Sequence, residues 1–295
     1  MLDPLSLVSD EVIEAFHHDG AVWIPGLLSP AWMHLIAQGV QRNLNSPGPQ
    51  LIRHFEGEPG EYLDDFGNYQ VIPEYQRLLA DSPIVDVVAK VLRTKKLWYF
   101  LDQIFVKEGG YSRRTPWHQD IPWLLADGSS FATIWIALQP LTKEETLEFV
   151  AGSHIGPMYD NGTDGTGIEV EREPTGPKLP DIESEREKWP IVSHASKPGD
   201  VLIFHPQTLH GGGEMRGAGV AAHQQARLAQ EPAQFPEVEL AAQIQEAGQV
   251  RFQQRAHRRD RGIVAVHADE NHAGASPAQF AREPGKMLRR PAVHR

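Results

Sequence analysis

The sequence predicts a mainly β domain of the sandwich or barrel type, with flanking helices on its N-terminal side. Short apolar and β-branched stretches separated by turn residues follow one another between residues 96 and 213, a pattern typical of sandwiches and barrels. Before residue 96 the apolar spacing is mostly helical. All seven Trp and all six Tyr precede residue 190, and this change in composition predicts a boundary near residue 213.

Two helices and a strand are predicted first. Ser9 is a suitable N-cap for the helix DEVIEAFHHD, and Gly20 is a suitable C-terminal stop. A short strand, AVWIP, follows. Ser29 and Pro30 then provide a cap and a first-turn proline for a helix that continues through AWMHLIAQGVQRNL.

The rest of the N-terminal part, which ends at residue 95, is predicted as a loop and a helix. Residues 46–72 are rich in Gly, Pro and acidic residues, which indicates a loop. Helical spacing returns in DSPIVDVVAKVLR, with Asp81 or Ser82 as its N-cap. Residues 1–95 are therefore predicted to be mostly helical.

The β part comprises residues 96–213. Its predicted strands are LWYFLDQIFVK, WHQDIPWLL, FATIWIALQPL, TLEFVAGSH, PIVSHA and VLIFH. The stretches GGYSRRTP and SKPGD have the composition of turns. Residues 156–190 are rich in Gly, Pro and acidic residues. A connection of this length in a compact domain usually serves as a lid or a binding loop.

Residues 214–295 form an atypical tail rich in Ala, Gln and Arg. They carry 12 Lys and Arg against 9 Asp and Glu, although the whole chain has a net charge of −11. One helix is predicted around residues 238–247. The final 35 residues have a sparse apolar pattern, so we expect them to be poorly packed or disordered.

The composition excludes several classes of site. The 295 residues contain no cysteine, which excludes disulfides, thiolate metal sites and cysteine nucleophiles. The net charge of −11 argues against nucleic acid as a partner. No apolar run approaches the roughly 20 residues that span a bilayer, and the acidic N-terminus lacks the basic start of a signal peptide. We therefore expect a cytoplasmic protein that has neither nucleic acid nor a membrane as its partner.

A His-x-Asp motif is the first candidate for chemistry. On a strand, His118 and Asp120 project to one face and Gln119 to the other. His210, after the strand VLIF, is a suitable third ligand, and two histidines with one carboxylate form the facial triad of non-haem Fe(II) oxygenases. The motif alone is common by chance on ordinary strands. His205 is either a core histidine or a competing ligand.

The surrounding motifs are more specific. From about residue 10 to 213 the chain resembles the phytanoyl-CoA hydroxylase family of Fe(II)/2-oxoglutarate-dependent oxygenases. The matching stretches are DGAVWIPGLLSP, DQIFVKEGG, TPWHQD, WIALQPLTKEETLEFVAGSH and KPGDVLIFHPQTLHGG. The resemblance implies a double-stranded β-helix, or jelly-roll, core of the cupin type. It implies His118, Asp120 and His210 as iron ligands, and Fe(II), 2-oxoglutarate and O2 as cofactors.

The resemblance also implies a reaction and further site residues. The carboxylate of Asp120 favours hydroxylation of an unactivated C–H bond, because halogenating relatives carry a small residue there. Lys107 corresponds to a lysine near the cosubstrate, although a solvated lysine at a strand end is an equal alternative. Trp135 corresponds to a tryptophan that lines the 2-oxoglutarate pocket, or else it belongs to the core. Substrate-pocket candidates, each of which could simply pack, are Gln103, Thr115 and Trp123.

One expected residue is missing. The family places an arginine about eleven positions after the second histidine, where it clamps the distal carboxylate of 2-oxoglutarate. Here that position is Ala221, with Arg216 and Arg227 six and seventeen residues after His210. One hypothesis is a shift of the reading frame near residues 214–220; the alternative is a divergent C-terminus that recruits Arg216 or Arg227. The changed stretch is expected to remove the last core strand, so that the chain binds metal weakly and turns over 2-oxoglutarate poorly or not at all.

Two other functions stay open at this point. One is a catalytically silent jelly-roll protein that still binds metal. The other is a cupin-type metalloenzyme that needs no 2-oxoglutarate.

Overall fold

The computed structural model describes residues 3–58, 60–107, 113–124, 130–162, 176–214 and 221–229; in the last range it describes the backbone and the side chains of Ala226 and Leu228. The α-helices are α1 (Asp10–Asp19), α2 (Pro30–Asn45), α3 (Pro73–Asp81), α4 (Ile84–Val91) and the single turn α5 (Ile121–Leu124). The strands are β1 (Ala21–Ile24), β2 (Ile52–His54), β3 (Tyr62–Phe66), β4 (Trp98–Lys107), β5 (Thr115–His118), β6 (Phe131–Ala137), β7 (Leu147–Val150), β8 (Ile191–Ser193), β9 (Val201–Phe204), β10 (His210–Gly212) and β11 (Ala221–Ala229). Short 3-10 helices lie at Pro4–Leu7, Ser153–Ile155 and Arg186–Lys188.

The strands form two sheets. The large sheet has the order β1-β9-β6-β11-β4-β3-β2, and the small sheet has the order β5-β10-β7-β8. All the strand pairs are antiparallel. The chain passes from one sheet to the other between β4 and β5 and again between β5 and β6, as in a jelly roll. The predicted fold class, mainly β with flanking helices around a jelly-roll core, is confirmed.

The helices cover one face of the large sheet. Alternate residues of its strands, among them Ile104, Ile134, Ile203 and Ala226, share one core cluster with apolar residues of α1, α2, α3 and α4. The opposite face carries Trp135, Leu202 and Phe204, which pack with Phe149 of the small sheet. Because successive side chains of a strand alternate between faces, one sheet separates the helical layer from the space between the sheets.

The first two helices agree with the sequence prediction. Gly20 ends α1 with φ 80°, the left-handed conformation that glycine adopts without steric cost. Proline occupies the first turn of α2 after Ser29. The prediction of a loop over residues 46–72 is wrong in part, because β2 and β3 form a hairpin that extends the large sheet beyond β4.

The next helical region also differs from the prediction. The helix α4 lies within the predicted stretch but begins after Pro83 and not at Asp81 or Ser82, and the helix before it, α3, was not predicted. The Ser82 hydroxyl donates to the Leu78 carbonyl at the end of α3 and accepts from the amide of Ile84, the first residue of α4, at 3.3 Å, so Ser82 serves both helix ends.

Residues that follow β5 do not continue the strand. The stretch WHQDIPWLL was predicted as one strand, but β5 ends at His118 and the chain turns into α5. The backbone amide of Trp123 donates to the Asp120 carbonyl, which closes this turn. Pro122 has no amide hydrogen and tolerates the first turn of a helix.

The last core strand is present. Residues 221–229 form β11, which lies between β4 and β6 and pairs with both. The expectation that the altered stretch removes this strand is therefore wrong, because an Ala- and Gln-rich sequence still supplies the backbone hydrogen bonds of a central strand. The predicted helix at 238–247 and the disordered end lie outside the described residues. The division at 213 and the frame-shift hypothesis remain predictions.

The connection between β7 and β8 covers the outer face of the small sheet. Residues such as Ile182 and Trp189 from this connection pack against Trp117 and Leu209 of the sheet side. Residues 163–175 of the predicted lid lie outside the described residues. Among the helices of the described part, none has both the length and the apolar character needed to span a bilayer.

Candidate metal centre

Three side chains of the described residues converge at one end of the jelly roll. His118 at the end of β5 lies opposite His210 at the start of β10. One Asp120 oxygen, Oδ1, is 3.5 Å from His118 Nε2 and 3.6 Å from His210 Nε2. One ligand atom from each residue lies within 4.8 Å of the other two, and all three residues are buried.

Both histidines are held in the tautomer that metal binding requires. The Nδ1 atom of His118 is 2.7 Å from the Pro116 carbonyl oxygen, and the Nδ1 atom of His210 is 2.8 Å from the Thr208 carbonyl oxygen. A carbonyl only accepts, so each Nδ1 carries a hydrogen, and in the neutral ring Nε2 is then the nitrogen that can bind a metal. Both Nε2 atoms are the ones that approach Asp120.

Asp120 reaches the site by a different route from the one predicted. It lies beyond the end of β5, so strand alternation does not place it beside His118. Its backbone amide donates to the Pro206 carbonyl at 2.8 Å, as does that of Ile121 at 3.2 Å. These two bonds fasten the turn after β5 to the loop before β10, and the carboxylate therefore lies between the two histidines.

His205 is not part of this cluster. Its Nδ1 accepts a hydrogen bond from the Gln207 amide at 3.1 Å, and its ring lies 5.7 Å from that of His154. The residue is 3% exposed. Of the two alternatives left by the sequence, the buried core histidine is the one that these contacts favour.

Aromatic rings surround the histidines. The ring of Phe204 is 4.7 Å from that of His210, and the ring of Phe149 stacks on that of His210 at 6.1 Å. On the other side, the predicted pocket residue Trp123 lies 5.1 Å from His118. Trp135 is 2% exposed and belongs to the same cluster as Phe149 and Phe204. The site is thus lined by apolar surface, which lowers the local dielectric and strengthens charge interactions.

A buried lysine lies at the end of β4 and contacts β5. Lys107, the last residue of β4, is 9% exposed, and burial lowers its pKa to about 8. Its Nζ donates to the hydroxyl of Thr115 at 3.3 Å and lies 5.6 Å from the ring centre of Tyr62. Thr115 belongs to β5, the strand that ends at His118. Lys107 and Thr115 are thus brought together. Lys107 is buried, and it is not a solvated lysine at a strand end.

The position at which the resemblance leads one to expect an arginine lies on β11. Ala221 lies opposite Lys107 in the ladder between β11 and β4. Arg227 lies opposite Leu101 and Thr133, six residues along the same strand. Arg216 lies outside the described residues. Gln103, the remaining candidate for the substrate pocket, is a residue of β4 and pairs with Phe66 of β3.

Three residues near the site were not predicted from the sequence: Tyr62, Gln119 and Asn161. Tyr62 lies in the stretch that was predicted to be a loop. Gln119 was predicted only to point away from His118, yet it is completely buried, and Asn161 bonds to its backbone. A buried amide between two ligands gives no sequence signal, because its partners are far along the chain.

The donor set fits a divalent iron. Two neutral imidazoles and one carboxylate match the facial arrangement of non-haem Fe(II) sites, which leaves open positions on the metal. The two carbonyls that bind Nδ1 supply the outer partners such sites use.

Comparison with known families decides the kinship. The sequence profile of the phytanoyl-CoA dioxygenase (PhyH) family matches residues 16–222. The chain belongs to this family. The matched range includes all three ligands, Lys107 and the first residues of β11. Comparison with curated proteins gives no significant match.

Solved structures share the fold of this family member. SnoK, a non-haem α-ketoglutarate-dependent carbocyclase from nogalamycin biosynthesis, superposes with a TM-score of 0.67 at 21% identity, over 83% of this chain and 92% of SnoK. The epimerase SnoN, in complex with Fe3+, α-ketoglutarate and nogalamycin RO, gives 0.65 at 19%, over 90% and 98%. EctD from S. alaskensis, with 2-oxoglutarate and 5-hydroxyectoine, gives 0.60 at 20%, over 81% and 86%. At these identities the likeness establishes the fold.

Proposed function

We propose that this protein is an Fe(II)/2-oxoglutarate-dependent dioxygenase that hydroxylates an unactivated C–H bond of a small organic molecule in the cytoplasm. The observation that carries the proposal is the buried His118, Asp120 and His210 cluster in a chain of the phytanoyl-CoA dioxygenase family. The three similar structures support it, because each is described as α-ketoglutarate-dependent or contains the cosubstrate.

In this proposal His118, Asp120 and His210 hold the iron. With both cofactors bound, oxidative decarboxylation of 2-oxoglutarate gives succinate and CO2, and the two atoms of O2 end in succinate and in the new hydroxyl group. The protein's part is to fix the three ligands and to exclude water. It also holds each Nδ1 hydrogen on a backbone carbonyl, so that Nε2 is the atom that can bind the metal. Phe149 and Phe204 place apolar rings beside His210, and Trp135 packs in the same cluster, so this side of the site excludes water.

Lys107 and Thr115 are proposed to bind the distal carboxylate of 2-oxoglutarate. Lys107 is a buried cation that, among the residues the structure describes, contacts a hydroxyl and an aromatic ring. Burial without a carboxylate is costly for an ammonium group, so an anionic ligand would stabilise it. Thr115 adds a hydroxyl donor on the same strand as His118. In this proposal Lys107 and Thr115 together take the role of the arginine expected at position 221, which is an alanine here.

Succinate formation tests the proposal. The purified protein is incubated with Fe(II), ascorbate, 2-oxoglutarate and O2, with and without a library of small metabolites, and succinate is measured. We expect succinate from the unaltered protein, increased by a substrate, and none from His210→Ala. Metal binding without any succinate would contradict the proposed reaction.

A second candidate is a jelly-roll metal protein that does not use 2-oxoglutarate, either catalytically silent or a cupin-type metalloenzyme. Ala221 favours it, because the position of the family arginine is occupied by a residue that cannot bind a carboxylate. Activity with Zn(II) or Mn(II) in the absence of O2 would support the metalloenzyme form. Metal binding with no 2-oxoglutarate affinity would support the silent form.

A further inference from the structure

The residue between two of the metal ligands is completely buried. Gln119 is 0% exposed, and its side chain makes three hydrogen bonds. Nε2 donates to the carbonyls of Gln207 at 2.7 Å and Pro157 at 3.2 Å, and Oε1 accepts from the Tyr159 amide at 2.7 Å. Gln119 therefore ties the turn that carries His118 and Asp120 to two distant stretches of backbone.

A second amide holds the backbone of Gln119. Asn161 Oδ1 accepts from the Gln119 amide at 3.2 Å, and Asn161 Nδ2 donates to the Gln119 carbonyl at 2.9 Å. Asn161 is 6% exposed. β5 ends at His118, so Gln119 has no strand partner, and the carboxamide of Asn161 satisfies both backbone groups as a neighbouring strand would.

The other neighbour of His118 is held by the same connection. Trp117 Nε1 donates to Glu183 Oε2 at 2.9 Å. Residues 157–161 and Glu183 both belong to the connection between β7 and β8. The residues on each side of His118 are thus bound to two separate parts of one connection that covers the outer face of the small sheet.

We propose that Gln119 and Asn161 are positioning residues that set the geometry of the metal ligands His118 and Asp120. The Asn161 carboxamide fixes the peptide units on both sides of Gln119, and the Gln119 side chain is itself fixed by three hydrogen bonds. The Cα atoms of both ligands therefore have little freedom. Outer contacts of this kind typically change metal affinity about 10–100-fold when they are removed. The inference rests on the proposed function only in that the cluster binds a metal.

Cobalt(II) binding tests the inference without any catalytic readout. Co(II) is a spectroscopic substitute for Fe(II), and its affinity is measured by titration calorimetry and by its visible absorption. Three variants are compared: Asn161→Ala, Asn161→Asp and Gln119→Glu. Asn161→Asp keeps the acceptor but places a carboxylate oxygen against the Gln119 carbonyl. Gln119→Glu loses both bonds that Nε2 donates. We expect about 10–100-fold weaker Co(II) binding and an altered absorption band in each.

A matched control separates positioning from general stability. Asn43 is also a buried asparagine, 1% exposed, and its Nδ2 donates to Asp65 Oδ2 at 2.6 Å in the helical layer. Asn43→Ala is expected to lower the melting temperature but to leave Co(II) affinity and spectrum unchanged. The inference is overturned if the Asn161 and Gln119 variants, folded by circular dichroism, bind Co(II) like the unaltered protein, or if Asn43→Ala weakens binding equally.

The two proposals fail in different ways. If the unaltered protein binds Co(II) and the variants bind it weakly, but no succinate forms with Fe(II), the dioxygenase proposal fails and the positioning role stands. If succinate forms at the same rate and the same Fe(II) concentration dependence in Asn161→Ala, the positioning role fails and the dioxygenase proposal stands. If the unaltered protein binds no Co(II), the positioning role is overturned.

Discussion

Ala221 lies directly opposite Lys107 in the ladder between β11 and β4. Lys107 is a buried cation, and position 221 is where the family resemblance leads one to expect an arginine. The alanine at this position therefore pairs with a residue that already carries a buried positive charge. The strand that carries this position is still paired on both sides.

Restoring the arginine is expected to strengthen cosubstrate binding. Ala221→Arg adds a guanidinium that can bind a carboxylate through two hydrogen bonds next to Lys107. We expect roughly tenfold tighter 2-oxoglutarate binding, which corresponds to about 1.4 kcal/mol, measured by titration calorimetry on the metal-loaded protein. Ala221→Met, of similar length without charge, is the control. Equal affinities of the two variants would show that position 221 does not reach the ligand.

Cosubstrate affinity is expected to fall above pH 8. Burial lowers the pKa of Lys107 to about 8, so the free protein carries a neutral amine at higher pH and a carboxylate ligand must bring a proton. The apparent Kd of 2-oxoglutarate should then rise by up to about tenfold per pH unit above 8. Lys107→Arg stays charged and should show a flat profile between pH 7 and 9.5. The same pH dependence in Lys107→Arg would assign it to another group.

Removing the lysine is expected to stabilise the fold while it damages the site. Below pH 8 the buried charge disfavours the folded state, since Lys107 has a lower pKa when folded than when unfolded. The free energy of unfolding should rise as the pH increases from about 8 to the ordinary lysine pKa near 10.4. Lys107→Met should raise it by about 1–3 kcal/mol at pH 7 and abolish this rise, measured by urea unfolding. Lys95→Met, at an exposed position, is the control and should change it by less than about 0.5 kcal/mol.

Metal binding is expected to stabilise the protein through the three ligands together. A metal that binds only the folded state at 100 times its Kd adds about 2.7 kcal/mol to the free energy of unfolding. We expect this gain with Co(II) in the unaltered protein and its loss in Asp120→Ala and His118→Ala, measured by thermal unfolding with and without a chelator. An equal gain in the two variants would place the metal elsewhere.

The outer ion pairs of the small sheet are expected to support stability in acid. Arg186 and Arg114 donate to Glu148 at 2.6 Å each and keep its pKa below the ordinary value, although burial opposes this. A lowered carboxyl pKa gives stability that is present above the unfolded pKa, about 4.3, and is lost as the pH falls through the folded pKa. Glu148→Gln should cost about 1–3 kcal/mol at pH 7 and flatten the loss of stability below pH 5, measured by urea unfolding. Glu185→Gln, whose partner Lys188 is exposed, is the control and should show neither effect.

The sequence by itself determined which three residues form the candidate metal cluster, and it determined the first two helices. Gly20 and Pro30 fix a helix end and a helix start through backbone preferences that act within a few residues. His118, Asp120 and His210 were found because their residue types and the motifs around them are specific even without coordinates.

Only the tertiary structure decided how these pieces meet. β2 and β3 are strands because they pair with each other and with β4, although residues 46–72 have the composition of a loop. Asp120 faces the histidines because the Pro206 carbonyl holds its amide, not because a strand continues. β11 completes the sheet because β4 and β6 offer it hydrogen-bonding groups on both sides. Strand pairing and buried amide contacts join residues that are far apart in sequence, so no local pattern encodes them.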